Sequence, residues 1–473
     1  MWINGQWRLA DQRFSVHNPA TGAWLGEVGE ATAADIDAAI AAAHQAFPAW
    51  SRTNAYERAR LLHEAHRLML AQKNELAELM SKEQGKPLKA ALNEVQYGAD
   101  FLSWYAEEAK RIYGETIPSA RDNQRFLVQY QAVGVVGAIT PWNYPISMIT
   151  RKLAPALAAG CTVVLKPAES TPLCAVAMMK IFAAAGFPDG VINLLTVSDP
   201  TAVGEAFCQD PRVRKLTFTG STAVGKKLNA LAGAHLKRVS LELGGHAPAI
   251  VCADADPVHA AKGLALVKFL NTGQACISPN RLFVHETMMA PFVAELVKRA
   301  SALKAGPGLI AGNSIGPLIN EAALNKVDAQ VQDALAKGAT LWCGGKRLLA
   351  DGLDQGYFYA PTVLSGITED MRIYREETFG PVAAVMAFDS DEAVLQQAND
   401  TEYGLAAYVY TEQLARSMRF FEGLRFGIVG LNDINPTSAA APFGGMQHSG
   451  LGREGGRAGI FEYLDTKLAG MVV

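Results

Sequence analysis

A cysteine in a turn of small residues is the first candidate for chemistry in this sequence. Cys276 follows Gly273 and Ala275, after a helix-like run that begins near Pro257 and before a strand-like run at 282–284. A thiolate is a strong nucleophile, and polarised backbone amides at such a junction can lower the thiol pKa. A lone cysteine is more often a buried structural residue, so its role depends on the rest of the chain.

Two further side chains could serve a reaction at a thiol. Asn143 lies between two aromatic residues and two prolines in the turn 141–145, and a rigid carboxamide is a suitable donor to an oxyanion. It could equally be a turn asparagine that bonds to its own backbone. Glu242 lies among apolar residues before a Gly-Gly pair, where burial would raise its pKa towards the range of a general base. A structural carboxylate that caps backbone amides is the alternative.

Two other stretches could hold a nucleotide. Lys166 and Glu169 follow a predicted strand, and ligands bind at the carboxyl ends of strands in open α/β sheets, so both could hold ribose hydroxyls. A solvated strand end is the alternative. Ser221 lies in a strand, glycine turn and helix start at 218–225, where free amides and the helix dipole favour a phosphate. The 9 histidines are scattered without ligand spacing, so no metal site is expected.

The elements that must position these residues alternate between helix and strand. An Asn-Gly hairpin is predicted at 3–7, and helices follow, including one at 54–79 and one at 88–113. From residue 125 strands alternate with helices, which indicates a parallel sheet with crossover helices. A second alternation runs from 246 to about 432. The pattern predicts two α/β lobes joined near the Gly-Gly pair.

Composition restricts the class of protein. The chain has 473 residues, of which 49% are hydrophobic and 19% charged, which suits more than one core. A net charge of -3 gives no reason to expect nucleic acid or an anionic membrane as a partner. No run is apolar for long enough to span a membrane, and the amino terminus lacks a signal-peptide pattern. Six cysteines without a CxxC pair favour the reducing cytoplasm.

Taken in order, these stretches resemble the aldehyde dehydrogenase superfamily, and the resemblance covers essentially the whole chain. The matching blocks are residues 141–145 (Pro-Trp-Asn-Tyr-Pro), 166–169 (Lys-Pro-Ala-Glu), 218–221 (Phe-Thr-Gly-Ser), 241–245 (Leu-Glu-Leu-Gly-Gly), 273–276 (Gly-Gln-Ala-Cys), 376–381 (Glu-Glu-Thr-Phe-Gly-Pro) and 442–445 (Pro-Phe-Gly-Gly).

The resemblance implies a three-part subunit. A Rossmann-like dinucleotide-binding domain would comprise residues 1–113 and 133–243, and an α/β catalytic domain would comprise 244–438. A small β oligomerisation element would be built from 114–132 and 439–473. Family members are homodimers or homotetramers, so the same is expected here.

The resemblance also implies oxidation of an aldehyde to the acid with NAD or NADP. Cys276 would be the nucleophile that forms a thioester, Asn143 and the Cys276 N–H would hold the oxyanion, and Glu242 would activate the hydrolytic water. Lys152 and Glu454 match a pair proposed to relay protons. The residues that match cofactor contacts are Trp142, Lys166, Glu169, Ser221, Glu377 and Phe379.

The expected cofactor is NAD. Glu169 would lie where the 2′-phosphate of NADP must go, and a carboxylate repels a phosphate at short range. Lys166 beside it would soften that repulsion, so use of NADP is possible.

Within the family, residues 147–152 and 447–455 are most similar to succinate-semialdehyde dehydrogenases. Arg151 and Ser449 match residues that hold the distal carboxylate of the substrate. Leu270 stands where arginine is usual, so one arm of the expected cationic clamp is apolar. The alternatives are 2-oxoglutarate semialdehyde and a less polar, aliphatic or aromatic, aldehyde. Two other classes of protein fit less well. A CoA-acylating relative would typically lack the carboxylate of Glu242. A non-catalytic binding protein would tolerate loss of the thiol, the amide or the carboxylate, and all three are present.

Overall fold

The computed structural model describes all 473 residues and is built from helices and strands in alternation. The helices are α1 Ala33–Trp50, α2 Ala55–Ala71, α3 Lys73–Gln84, α4 Leu88–Ala109, α5 Ser147–Ala159, α6 Pro172–Ala184, α7 Thr201–Gln209, α8 Thr222–Ala234, α9 Pro257–Phe269, α10 Met289–Ser301, α11 Glu321–Ala336, α12 Arg372–Arg375, α13 Asp391–Asn399, α14 Leu414–Gly423 and α15 Gly456–Phe461. The strands are β1 Trp2–Ile3, β2 Gln6–Trp7, β3 Arg13–His17, β4 Trp24–Gly29, β5 Glu115–Pro118, β6 Gln124–Ala132, β7 Val135–Ile139, β8 Thr162–Lys166, β9 Ile192–Leu194, β10 Val213–Thr219, β11 Arg238–Glu242, β12 Ala247–Val251, β13 Pro279–His285, β14 Thr340–Cys343, β15 Thr362–Ser365, β16 Val382–Phe388, β17 Tyr403–Gly404, β18 Ala406–Tyr410, β19 Ile428–Leu431, β20 Met446–Gln447, β21 Gly450–Leu451 and β22 Leu464–Val472.

The first large sheet has eight strands in the order β2-β1-β9-β8-β7-β10-β11-β21. Its five central strands are parallel, and β7 and β8 are buried along their whole length. Such unbroken apolar strands are typical of parallel sheets that helices cover on both faces. In the register, Ile139 faces Lys166, and Thr219 faces Glu242. The carboxyl ends of these strands therefore meet at one edge.

The second large sheet has seven strands in the order β14-β15-β16-β13-β12-β18-β19. All of its pairs are parallel except that between β14 and β15. Two apolar cores cover its faces, one of them built partly from α9 and α10 and the other from α11 and α13. The two predicted lobes therefore correspond to two mainly parallel sheets.

A third sheet is separate from the two large sheets. It has three strands, in the order β22-β6-β5. β22 pairs antiparallel with β6 over nine residues, and every residue of β22 after Leu464 is exposed. The preceding segment is different, because β21 extends the first large sheet by pairing Leu451 with Leu241. Residues 464–472 thus pair in the third sheet while residues 450–451 pair in the first large sheet, and the expected domain bounds stay a prediction.

The helical predictions for the amino-terminal part need two corrections. The helix expected at 54–79 is two helices, α2 and α3, because Gln72 leaves the helical region at φ -103° and ψ 19°. The helix expected to end at 113 ends at Ala109. The hairpin is confirmed, with Asn4 and Gly5 at φ 51° and 75° in its turn. No helix combines the length and apolar character that crossing a membrane requires.

Candidate active site

Cys276 is placed by α9 and by the turn that follows this helix. The Asp256 side chain caps α9 by accepting hydrogen bonds from the N–H groups of Val258 and His259. The helix ends at Phe269, and the chain reaches Cys276 just before the buried strand β13. The thiol therefore lies between two fixed elements and is only partly exposed.

The turn between them has an unusual backbone conformation. Asn271, Thr272 and Gly273 are all left-handed, with φ values of 49°, 59° and 74°. A side chain at Gly273 would place its Cβ 2.1 Å from the carbonyl oxygen of Gly380. Left-handed non-glycine residues cost about 1–3 kcal/mol each, so contacts around the turn must hold it.

Asn143 supplies one of these contacts. Its Nδ2 donates to the carbonyl oxygen of Gln274 at 3.0 Å, and its own carbonyl accepts from Asn271 Nδ2 at 2.9 Å. The structure thus brings Asn143 against the turn that carries Cys276. An amide NH₂ has two N–H groups, so the second remains available to an oxyanion.

Glu242 ends β11 and is buried, with no hydrogen-bond partner for its Oε2. Burial raises the pKa of this carboxyl well above its usual value, and the charge of Glu454 raises it further, against Arg151 and Lys152. A Cβ at Gly444 would lie 2.8 Å from the carbonyl oxygen of Gly452 and 3.0 Å from Glu242 Oε1, so the backbone packs closely against this carboxylate. A carboxyl with a raised pKa and a free oxygen has the properties of a base for water.

The thiol itself departs from the sequence-based expectation. Burial raises the pKa of Cys276 to about 12. The negative charges of Glu242 and Glu377 add to this increase, and the positive charge of Arg151 opposes it. The expected lowering of the thiol pKa is therefore wrong for this structure, because desolvation outweighs the nearby dipoles and cation. The resting thiol is protonated at neutral pH and needs a base.

Helix α5 presents two buried cations to one carboxylate. Glu454 contacts Arg151 Nη2 at 3.0 Å and Lys152 Nζ at 2.5 Å. The guanidinium of Arg151 also lies 4.1 Å from the ring centre of Phe443, and its Nε has no partner. Lys152 and Glu454 are therefore in contact, as the resemblance implied, while their relay of protons stays a prediction.

The two other residues expected to contact the substrate are placed differently. Ser449 is fully buried, its Oγ donates to the carbonyl of Gly244 at 2.7 Å, and it accepts from the N–H of Gly404 at 2.9 Å. Its hydroxyl hydrogen is directed to the backbone in this structure, and its contact with a substrate carboxylate stays a prediction. Leu270 is 46% exposed at the end of α9, where an apolar side chain can face an entering ligand.

Among the expected cofactor contacts, Lys166 and Glu169 form an ion pair with each other after β8. Ser221 caps α8 by accepting from the Val224 N–H at 3.4 Å. The buried Thr219 Oγ1, at the carboxyl end of β10, has no hydrogen-bond partner. These groups lie at the carboxyl ends of β8 and β10, the parallel strands on either side of β7. Open α/β sheets bind nucleotides at such strand ends.

The remaining expected contacts link the two large sheets. The rings of Trp142, after β7, and Phe379, before β16, meet edge to face with their centres 5.5 Å apart. Glu377 Oε1 accepts from the N–H of Gly245 at 2.9 Å, and burial raises the pKa of this carboxyl. The structure therefore brings all of these residues to the boundary between the lobes.

The aldehyde dehydrogenase family model matches residues 7–469. The chain belongs to the aldehyde dehydrogenase family. It is 49% identical to the probable succinate-semialdehyde dehydrogenase (NADP(+)) of Sinorhizobium fredii, over 96% of this chain and 92% of that one. It is 46% identical to the 3-sulfolactaldehyde dehydrogenase of Pseudomonas putida, over 98% and 95%. The crystal structure of an E. coli NADP-dependent enzyme has a TM-score of 0.98 and 47% identity, and covers 100% of this chain and 98% of its own.

Family membership confirms the α/β fold and makes this aldehyde dehydrogenase an oxidoreductase that acts on aldehydes with a nicotinamide dinucleotide. The residues at the lobe boundary fit such a cofactor. Thr219 Oγ1 is a buried hydroxyl without a partner, and Ser221 begins a helix whose amide groups suit a phosphate. The roles of Trp142, Lys166 and Glu169 as cofactor contacts, and of Glu377 and Phe379 on the nicotinamide-ribose side, stay predictions.

Sequence analysis missed two buried charges beside this site, Lys86 and Glu94. Their side chains are each 1% exposed and form an ion pair. Lys86 lies between Gly85 and Pro87, residues that interrupt helices, and Glu94 lies in an ordinary helical pattern. Their placement depends on packing between distant segments, so no local signal in the sequence could have found them.

Proposed function

We propose that this aldehyde dehydrogenase oxidises a short aldehyde with a distal anionic group, represented by succinate semialdehyde, to the acid through a Cys276 thioester. The observation that carries the proposal is the buried guanidinium of Arg151, whose charge acts on both Cys276 and Glu242 and whose Nε has no partner. A guanidinium is suited to a carboxylate or a sulfonate. The relatives named for succinate semialdehyde and 3-sulfolactaldehyde both act on short aldehydes with such a group.

The proposed reaction begins with transfer of the Cys276 thiol proton to Glu242. The thiolate attacks the carbonyl carbon and a C–S bond forms, while Asn143 Nδ2 and the Cys276 N–H hold the negative oxygen. When bound, the nicotinamide dinucleotide supplies the acceptor for the hydride. Glu242 releases that first proton to solvent and, ionised again, removes a proton from water, which attacks the thioester. The C–S bond breaks, the acid leaves, and the proton on Glu242 returns to the sulfur to restore the thiol.

The proposed cofactor range includes both dinucleotides, with NAD preferred. The side chain of Glu169 is 35% exposed and paired with Lys166, so its negative charge is partly neutralised. Partial neutralisation weakens the repulsion of a 2′-phosphate. The S. fredii relative is named for NADP(+), and the E. coli structure is that of an NADP-dependent enzyme, which supports acceptance of that cofactor.

Assembly and location are also proposals. We propose that the chain forms a homodimer or homotetramer through the third sheet, because β22 leaves a long exposed edge with apolar side chains at Leu468, Met471 and Val472. Unpaired strand edges are templates for pairing with another chain. All six cysteines are free, which supports a reducing, cytoplasmic location.

Glu242→Gln tests the hydrolytic reaction. We expect one burst of NADH equal in amplitude to the number of active sites but slower than in wild type, because hydroxide must replace Glu242 as the base for the thiol. Steady turnover should then be reduced ~10²–10⁴-fold, because the base for water is lost. Stopped-flow absorbance measures both phases. Glu295→Gln, on the surface of α10 and ion-paired with Arg299, is the matched control and should behave as wild type. Full steady turnover of Glu242→Gln would refute the proposed base.

Leu270→Arg tests the anionic substrate. A second guanidinium at this half-exposed position should raise the ratio of kcat/KM for succinate semialdehyde over butanal by roughly tenfold, the lower value for a hydrogen bond to a charged group. Leu270→Met keeps an uncharged side chain and should leave the ratio unchanged. Equal changes for both aldehydes in the arginine variant would exclude a distal anion near this position.

A further inference from the structure

A buried ion pair lies behind the proposed oxyanion donor without contacting the thiol. Lys86 is in the turn between α3 and α4, and Glu94 is in the second turn of α4. Their charged atoms form an ion pair in which both side chains are excluded from solvent. Replacing a buried ion pair with apolar residues is often neutral or stabilising. Stability alone therefore gives little reason for a charged pair at this position.

Glu94 uses its other oxygen to hold the start of α5. Oε1 accepts hydrogen bonds from the backbone N–H groups of Ile146 at 3.0 Å and Ser147 at 3.2 Å. These donors would otherwise be unpaired, since the first N–H groups of a helix have no partner within it. Glu94 thereby fixes the end of the turn that begins at residue 141 and the helix that carries Arg151.

Lys86 reaches the same turn at its middle. Its Nζ donates to the backbone carbonyl of Asn143 at 2.8 Å and lies 4.2 Å from the centre of the Tyr144 ring. The Asn143 carbonyl also accepts from Asn271, in the cysteine turn. Two donors from opposite sides therefore fix the peptide group of Asn143, and its side chain is left in contact with Gln274.

We propose that Lys86 and Glu94 are positioning residues, which hold the Asn143 carboxamide at the distance from Cys276 that an oxyanion requires. The inference rests on the proposed function of Asn143 in aldehyde oxidation. Displacement of a catalytic group by about 1 Å can cost ~10²-fold in rate. The contacts of Lys86 and Glu94 are with the backbone around Asn143 and not with any group expected to bind the cofactor.

The test is a double variant, Lys86→Met with Glu94→Gln, which removes both charges and leaves an oxygen for Ile146 and Ser147. We expect the rate constant of the NADH burst to fall ~10- to 100-fold, because the Asn143 peptide loses one of its two donors. The KM for NAD should stay within about threefold of wild type. In an Asn143→Ala background, the same two changes should reduce the rate constant of the burst by less than about threefold. The reason is that the effects of residues that act as one unit are not additive.

Two controls separate positioning from general damage. Alkylation of Cys276 by iodoacetamide forms no oxyanion, so its rate, followed by mass spectrometry of the Cys276 peptide, should change less than about threefold. Arg416→Met breaks a half-buried ion pair with Asp254 and Asp391 in the other lobe, and should leave the burst unchanged. The single variant Lys86→Met, which removes the donor to the Asn143 carbonyl and leaves Glu94 unchanged, repeats the test independently.

The outcomes are distinct. A wild-type burst in the double variant, additive losses with Asn143→Ala, or a matching loss of Cys276 alkylation would each overturn the positioning role. Failure of both Lys86 variants to fold would also overturn it, because the pair would then be structural. Absence of aldehyde oxidation in the wild-type enzyme would instead refute the proposed function.

Discussion

At the scale of single residues, the buried carboxyl groups of Glu242 and Glu454 have pKa values shifted in opposite directions. Burial would raise the pKa of Glu454, but Lys152 and Arg151 outweigh it and lower the pKa below its usual value. Glu242 has no hydrogen-bonded cation, and burial together with the charge of Glu454 raises its pKa. Neighbouring groups whose pKa values are pushed apart can take separate roles. Glu454 is expected to stay ionised, while Glu242 can gain and lose a proton.

The raised pKa of Cys276 predicts the pH dependence of its alkylation in the enzyme without cofactor. The pKa is about 12, so the thiolate fraction, and with it the rate, should rise about tenfold for each pH unit between neutral pH and pH 9. Inactivation by iodoacetamide under pseudo-first-order conditions measures this rate, with free cysteine as the reference reaction. A plateau below pH 8 would show that the thiol is already ionised and that its pKa is lowered.

At the scale of elements, the turn after α9 joins the cysteine to both lobes. Thr272 Oγ1 donates to the carbonyl of Gly316 at 3.1 Å, and the Gln274 side chain donates to Pro317 and accepts from Ile319. These contacts compensate for the left-handed backbone of the turn. The position of the thiol is therefore set by the packing of several loops rather than by α9 alone.

Gly273→Ala should destabilise this turn strongly. The variant combines a left-handed φ of 74° with a Cβ 2.1 Å from the Gly380 oxygen, so we expect the free energy of unfolding to fall by about 3 kcal/mol or more. Gly338→Ala, at φ 96° with nothing within 4 Å of its Cβ, has the strain without the clash and should cost about 1 kcal/mol. Denaturant unfolding followed by fluorescence measures both. If both variants lost the same free energy of unfolding, the backbone at Gly380 would have to move away from the new Cβ without cost.

Local patterns predicted much of this arrangement but not its long-range contacts. Strand ends followed by turns identified Asn143, Lys166 and Glu242, because parallel strands place their carboxyl ends at one edge. The partners of Ser449 lie on segments 45 and 205 residues away, and no periodicity encodes such contacts. The thiol pKa of Cys276 was mispredicted for a related reason, since burial is a property of the folded chain.

At the scale of the whole molecule, the chain after β19 contributes to two separate parts of the structure. Residues of β20 and β21 return to the main body, and Glu454 follows directly after them to reach α5. β22 then leaves the body and pairs with β6. One short stretch thus completes the site, and the next forms the exposed edge.

Leu468→Lys with Val472→Lys should disrupt assembly through this edge. The two side chains are 61% and 72% exposed and lie an even number of residues apart, so they share one face of β22. Burying two added charges is unfavourable, so light scattering should show a shift towards monomer. Leu349→Lys, an exposed apolar residue far from the third sheet, is the control. An unchanged mass for the double variant would place the interface elsewhere.

The late position of Glu454 has a consequence for the enzyme during its synthesis. Arg151 and Lys152 are made long before the carboxylate that neutralises them, and until it arrives their segment carries two cations without their partner. Translation at about 5–20 residues per second makes this interval tens of seconds or less. A nascent chain therefore carries these two cations without their carboxylate until the further 302 residues from Lys152 to Glu454 have been made. Stalled or prematurely released chains that already contain Cys276 should carry the nucleophile without the completed charge network around it.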